Sequence, residues 1–155
     1  STFFTDAIAM AAAVATIDKL RRTQAIPHLW RIGQGLLDGL NRLAAHTGVA
    51  AEAVGVAPMP FLTFTDSDPE VRQTAKVVFY RETTRRGLLL HPNHHWFVCA
   101  AHTDRELQRT LEICGDAFET VKRELARGYR ASVRPHTEVT VATGRAPAGP
   151  GGASK

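Results

Sequence analysis

Apolar residues recur at helical spacing along most of the chain, broken by two stretches where β-branched and aromatic residues crowd together. From Ala7 to Ala15 every residue is small or apolar, and Thr5 or Asp6 offers an oxygen to the orphan amides ahead of them. This predicts a helix from 6 to about 22 whose first half is apolar on every side and so buried all round. A second stripe, Ile26, Leu29, Trp30, Leu36, Leu37, Leu40, Leu43 and Ala44, predicts a helix over 26–45, with Pro27 in its first turn and Gly48 past its end. Residues 53–57, a Pro58-Met59-Pro60 turn and Phe61-Leu62-Thr63-Phe64-Thr65 read as strand, turn and strand. Asp68-Pro69 opens a third helix to about Arg85, burying Val71, Ala75, Val78 and Phe79 and ending at Gly87. Leu88-Leu89-Leu90 and 96–100 read as short strands around the loop His91-Pro92-Asn93-His94-His95. Thr103-Asp104-Arg105-Glu106 is a capping box, followed by Leu107, Leu111, Cys114, Phe118, Val121 and Leu125 at steps of four and three. Helix, helix, strands, helix, strands, helix is the order of an α+β domain with a small antiparallel or mixed sheet and helices on one face. Beyond Gly128 the periodicity dissolves, and 129–155, rich near its end in Gly, Pro, Ala and Ser, reads as a disordered tail.

Composition narrows the class. A hydrophobic content of 44% in 155 residues is enough for one domain with a real core. Two cysteines, Cys99 and Cys114, cannot build a disulfide framework, so a reducing, cytoplasmic setting is expected. The net charge of +4 speaks for solubility more than for a partner. No apolar run reaches membrane-spanning length, so no membrane is expected. The alanine-rich start lacks the basic region of a signal peptide and runs straight into charged residues. That start would be an exposed apolar surface in an isolated domain, so the chain is expected to begin inside a larger polypeptide that covers it.

Several polar groupings invite chemistry. His91, His94, His95, Cys99 and His102 are of the types that bind zinc, but their spacing matches no closed structural-zinc pattern. The competing reading is a polar loop beside a buried thiol, and no metal is expected. Arg85 and Arg86 precede a strand and are suited to a substrate carboxylate; a solvated helix face is the alternative. The cations from Arg105 to Arg130 alternate with acids such as Glu112, Asp116 and Glu119, which makes an ion-paired helix and no nucleic-acid stripe. Nucleophile elbows, phosphate-cradling glycine loops and H-E-x-x-H are absent. None of the four lysines, Lys19, Lys76, Lys122 and Lys155, has the apolar surroundings of a Schiff-base amine.

Two stretches together resemble class-III aminotransferases, especially glutamate-1-semialdehyde aminomutases and their relatives. The first is Ser1-Thr2-Phe3-Phe4-Thr5-Asp6 leading into the alanine-rich helix. The second is Arg86-Gly87-Leu88-Leu89-Leu90-His91-Pro92, then Phe97-Val98-Cys99-Ala100-Ala101-His102-Thr103-Asp104. The resemblance extends from Ser1 to about Leu125. It implies the C-terminal small domain of a fold-type I pyridoxal-phosphate enzyme, with 1–24 the helix leading from a large domain, 25–128 the small domain and 129–155 the tail.

The resemblance further implies pyridoxal 5'-phosphate as cofactor, a homodimer, and Thr2 as a contact to the cofactor phosphate of the neighbouring subunit. A hydroxyl with nearby amides ahead of a helix suits that task. The Schiff-base lysine of the family lies upstream of this threonine, so a fragment without it is expected to be inactive. His102-Thr103 is then a structural corner. Two departures bear on specificity: Asp6-Ala7 replaces the family's Asn-Pro, and Asn93-His94-His95-Trp96 replaces a longer loop that carries a glutamate in the aminomutases. The parent is expected to transfer an amino group between small molecules, by aminotransferase or aminomutase chemistry, with His94 and His95 on the substrate side. The rival reading is a self-sufficient α+β binding module. It requires 7–14 to be enclosed by the chain's own fold, whereas a fragment leaves much of that surface exposed.

Overall fold

The computed structural model describes residues 6–130 and shows an α+β arrangement of four helices and one antiparallel hairpin. Helix α1, Ala7–Arg22, starts where Asp6 accepts a hydrogen bond from Ile8 N at 3.0 Å. A two-residue connection follows, in which Gln24 takes the left-handed conformation at φ 52°, a strain of roughly 1–2 kcal/mol for a residue with a side chain. Helix α2, Ala25–Thr47, ends at Gly48, whose amide donates to Ala44 O at φ 72°. Helix α3, Pro69–Arg85, is capped by Asp68 with Pro69 in the first turn, and α4, Asp104–Ala126, carries both halves of the Thr103/Glu106 capping box.

The hairpin joins β1, Ala51–Val56, to β2, Met59–Phe64, pairing Val56 with Met59 and Ala51 with Phe64. The turn is therefore Ala57-Pro58, beginning one residue before the expected Pro58-Met59-Pro60. One face of the hairpin carries Ala53, Pro60, Leu62 and Phe64 into the core, while Glu52, Val54, Val56 and Met59 point away. Helices α2 and α3 cover the buried face, and α4 packs against both helices. At its centre Phe79 lies 4.8 Å from Phe118 and 5.7 Å from Phe64 between ring centroids, with Leu40, Val78, Cys114 and Val121 fully buried around them. The outer edge of β1 is closed at one point by a helix side chain. Asn41 of α2 accepts from Ala53 N at 2.8 Å and donates to Ala53 O at 3.1 Å, as a neighbouring strand would.

Three expectations need correction. Leu88-Leu89-Leu90 and 96–100 are not strands among the described residues. Trp96 N and Val98 N do donate to Pro60 O and Pro58 O along the outer edge of β2. Prolines have no amide to return the bond, so the ladder stays one-sided. Leu88 N is instead drawn back to Thr83 O by the left-handed turn at Gly87, leaving Leu89 84% exposed. In α2 the buried stripe is Ile32, Leu36, Leu37, Leu40 and Ala44. Ile26 and Trp30 are half exposed, because the first two turns reach beyond the hairpin towards α1.

The opening helix is exposed, the outcome expected if the surface that buries it lies outside residues 6–130. No residue of α1 is buried, and Ile8, Met10 and Val14 are 81%, 54% and 60% exposed. Residues 6–130 enclose none of this surface, as expected of a piece and not of a self-sufficient module. No described helix is long and apolar enough to cross a membrane. The tail proposed for 129–155 lies, from 131 onward, outside the described residues.

Candidate functional site

A cleft of about 930 Å³ is bounded by α2, the start of β2, the 86–98 segment and the first three turns of α4. Its floor is apolar, built from residues such as Leu36, Leu90, Trp96, Val98 and Ile113. Trp96 is fixed there by its indole N–H, which donates to His91 O at 3.0 Å, and by its backbone bond to Pro60. A small-molecule site typically has this size and apolar character, with a few polar groups on its walls.

Polar groups enter from two sides. The C-terminal end of α3 delivers Arg86. Its guanidinium donates through Nη1 to Glu82 Oε2 at 2.6 Å and lies 3.6 Å from Asp116 Oδ2 through Nε. Glu82 is buried and also meets Arg81 at 3.0 Å and Arg85 at 3.5 Å. The hydrogen bond from Arg86 holds the Glu82 carboxyl below the ordinary glutamate range; burial opposes the shift and Arg81 assists it. Facing Arg86, α4 presents Arg105 and Arg109, one turn apart, on the same side as Ile113. Glu106 also lines the cleft, but its carboxylate is taken up by the Thr103 backbone N–H and hydroxyl.

The expected site residues divide. Arg86 and His95 line the cleft. Arg85, 69% exposed along its side chain, and His94 do not. His94 instead holds the loop, its Nδ1 lying 2.8 Å from His95 O and its ring against those of His91 and Phe97. The His95 ring rests 5.8 Å from that of Phe61. His102 is a corner: Nδ1 accepts from Cys99 N at 3.2 Å, and its carbonyl oxygen is 2.8 Å from His28 Nε2. Cys99 is exposed, contrary to the buried thiol expected beside this loop; the buried one is Cys114. Among the described residues no three His, Cys, Asp or Glu side chains are grouped to share a metal ion. Thr2 lies outside the described residues.

Sequence reasoning missed Arg105, Arg109 and His91 as cleft residues. The four-residue interval from Arg105 to Arg109 to Ile113 was a readable sign that two arginines share a face with a core residue. Lys76 donates from Nζ to Asn93 Oδ1 at 2.5 Å, and Lys19 and Lys122 are on outer helix surfaces. The cleft thus contains no lysine among its lining residues.

No family model matches the chain. Curated proteins do. The chain is 33% identical over 135 residues to aminopentol aminotransferase of Sphingopyxis macrogoltabida, covering 87% of this chain and 30% of that protein. It is 26% identical over 125 residues to 3-aminobutyryl-CoA aminotransferase of Cloacimonas acidaminovorans, covering 81% and 30%. It is 33% identical over 127 residues to glutamate-1-semialdehyde 2,1-aminomutase of Desulfatibacillum aliphaticivorans, covering 76% and 29%. Among solved structures, the PLP internal aldimine form of the FumI protein of Sphingopyxis sp. MTA144 matches with a TM-score of 0.72 and 32% identity, over 88% of this chain and 31% of that one. The chain spans about 30% of the length of the curated relatives it matches.

Proposed function

Because this chain is homologous to class-III aminotransferases and glutamate-1-semialdehyde aminomutases over most of its length, we propose that it is the C-terminal small domain of a pyridoxal-phosphate-dependent aminotransferase. The observation that carries the reading is the 32% identity joined to a TM-score of 0.72 across 88% of the chain. The exposed apolar surface of α1 supports it, since a large domain of the same polypeptide would cover that helix. The parent would be a cytoplasmic homodimer. When bound, the cofactor supplies an electron sink for breaking bonds at the amine-bearing carbon of the substrate.

Within that frame the chain's own residues bind, orient and exclude water. Thr2, ahead of α1, contributes a hydroxyl to the cofactor phosphate of the neighbouring subunit. The 86–98 segment closes one side of the substrate pocket. Of the residues expected to face the substrate, Arg86 and His95 are the stronger candidates, because they line the cleft, and Arg85 and His94 support them from behind. The loop Asn93-His94-His95-Trp96 contains no acid, which favours transfer between two molecules over the intramolecular aminomutase reaction.

The test uses the full-length enzyme. Purified with pyridoxal phosphate, it should move an amino group from an amine or amino acid to a keto acid, and residues 1–155 alone should not. Amino transfer by the isolated chain would refute the fragment reading. Thr2→Ala should weaken retention of the cofactor during dialysis, read by its absorbance. His94→Ala combined with His95→Ala should change substrate preference, and an unchanged profile would remove the loop from the substrate side.

A further inference from the structure

We draw no further inference here: the strongest candidate, the exposed apolar outer face of the β1–β2 hairpin made by Val54, Val56 and Met59, carries nothing because no feature of the described residues shows what covers it.

Discussion

Gly33 sits in α2 where the helix crosses the turn of the hairpin, and a methyl group there has nowhere to go. A Cβ built on Gly33 falls well inside contact distance of the Ala57 carbonyl group and 3.0 Å from Pro58 N. Those obstacles are backbone, so relief requires the helix and hairpin to separate by something on the order of 1 Å. Overpacking of this kind destabilises by about 1–3 kcal/mol, and a backbone obstacle belongs at the upper end. Replacing an interior glycine by alanine regains about 1 kcal/mol of helix propensity. The net expectation for Gly33→Ala is a loss of about 2 kcal/mol, which lowers a urea midpoint by roughly 1 M. Gly35 provides the control two residues away. Its Cβ meets only Leu107 Cδ2, at 2.8 Å, the flexible end of a side chain. Gly35→Ala should therefore be neutral within about 1 kcal/mol. Urea denaturation of the chain can be followed through the fluorescence of the buried Trp96. A Gly33→Ala protein as stable as Gly35→Ala would refute the close-approach argument.

The Tyr80 hydroxyl is buried beside Phe64 and Phe79 without a hydrogen-bond partner among the described residues. Tyr80→Phe should stabilise the chain by about 1 kcal/mol, read as a higher urea midpoint, and a clear loss would reveal a partner for the hydroxyl. Burial pushes the Cys114 thiol up to about 12 and raises Tyr80 as well. Both groups ionise earlier in the unfolded chain, so stability should fall as pH rises above about 9, by up to about 1.4 kcal/mol per unit for each group, and Cys114→Ala should flatten the first part of that slope. Cys99 is exposed and should react with a thiol reagent at neutral pH, while Cys114 should react only on unfolding. Glu82→Gln should destabilise by about 1–2 kcal/mol at pH 7. The folded pKa of Glu82 lies below the ordinary value of 4.5, so its contribution is complete above that pH. The gap between wild type and variant should close as pH falls through the folded value.

Local signals in the sequence were accurate wherever short-range chemistry decides. Asp68-Pro69 and Thr103 through Glu106 name the starts of α3 and α4, because a cap is a contact between neighbours in the chain. Apolar content misled at Leu88-Leu89-Leu90. The left-handed turn at Gly87 draws Leu88 N back to Thr83 O, and at 96–98 the available edge is spoiled by Pro58 and Pro60, far away in sequence. The candidate site was half legible. Of the four residues proposed for the substrate side, Arg86 and His95 line the cleft, and Arg85 and His94 do not. Arg105 and Arg109 were absorbed into an ion-paired helix face, although their four-residue steps to buried Ile113 place them beside a core residue. Gly33, Gly35 and Gly39 carry a similar lesson: three glycines in one helix weaken it locally, and only the tertiary crossings against Ala57, Leu107 and Leu111 explain them.

The bare condition of α1 has a consequence for when the molecule becomes ordered. A lone helix of 16 residues is marginal in water, and this one gains no burial from its own chain to supplement the propensity of its alanines. Residues 25–126 can collapse around Phe79 and Phe118 without it. Ala7–Arg22 would then trade between coil and helix until an apolar surface covers it. Docking on such a surface and the final coiling of the segment would be a single event.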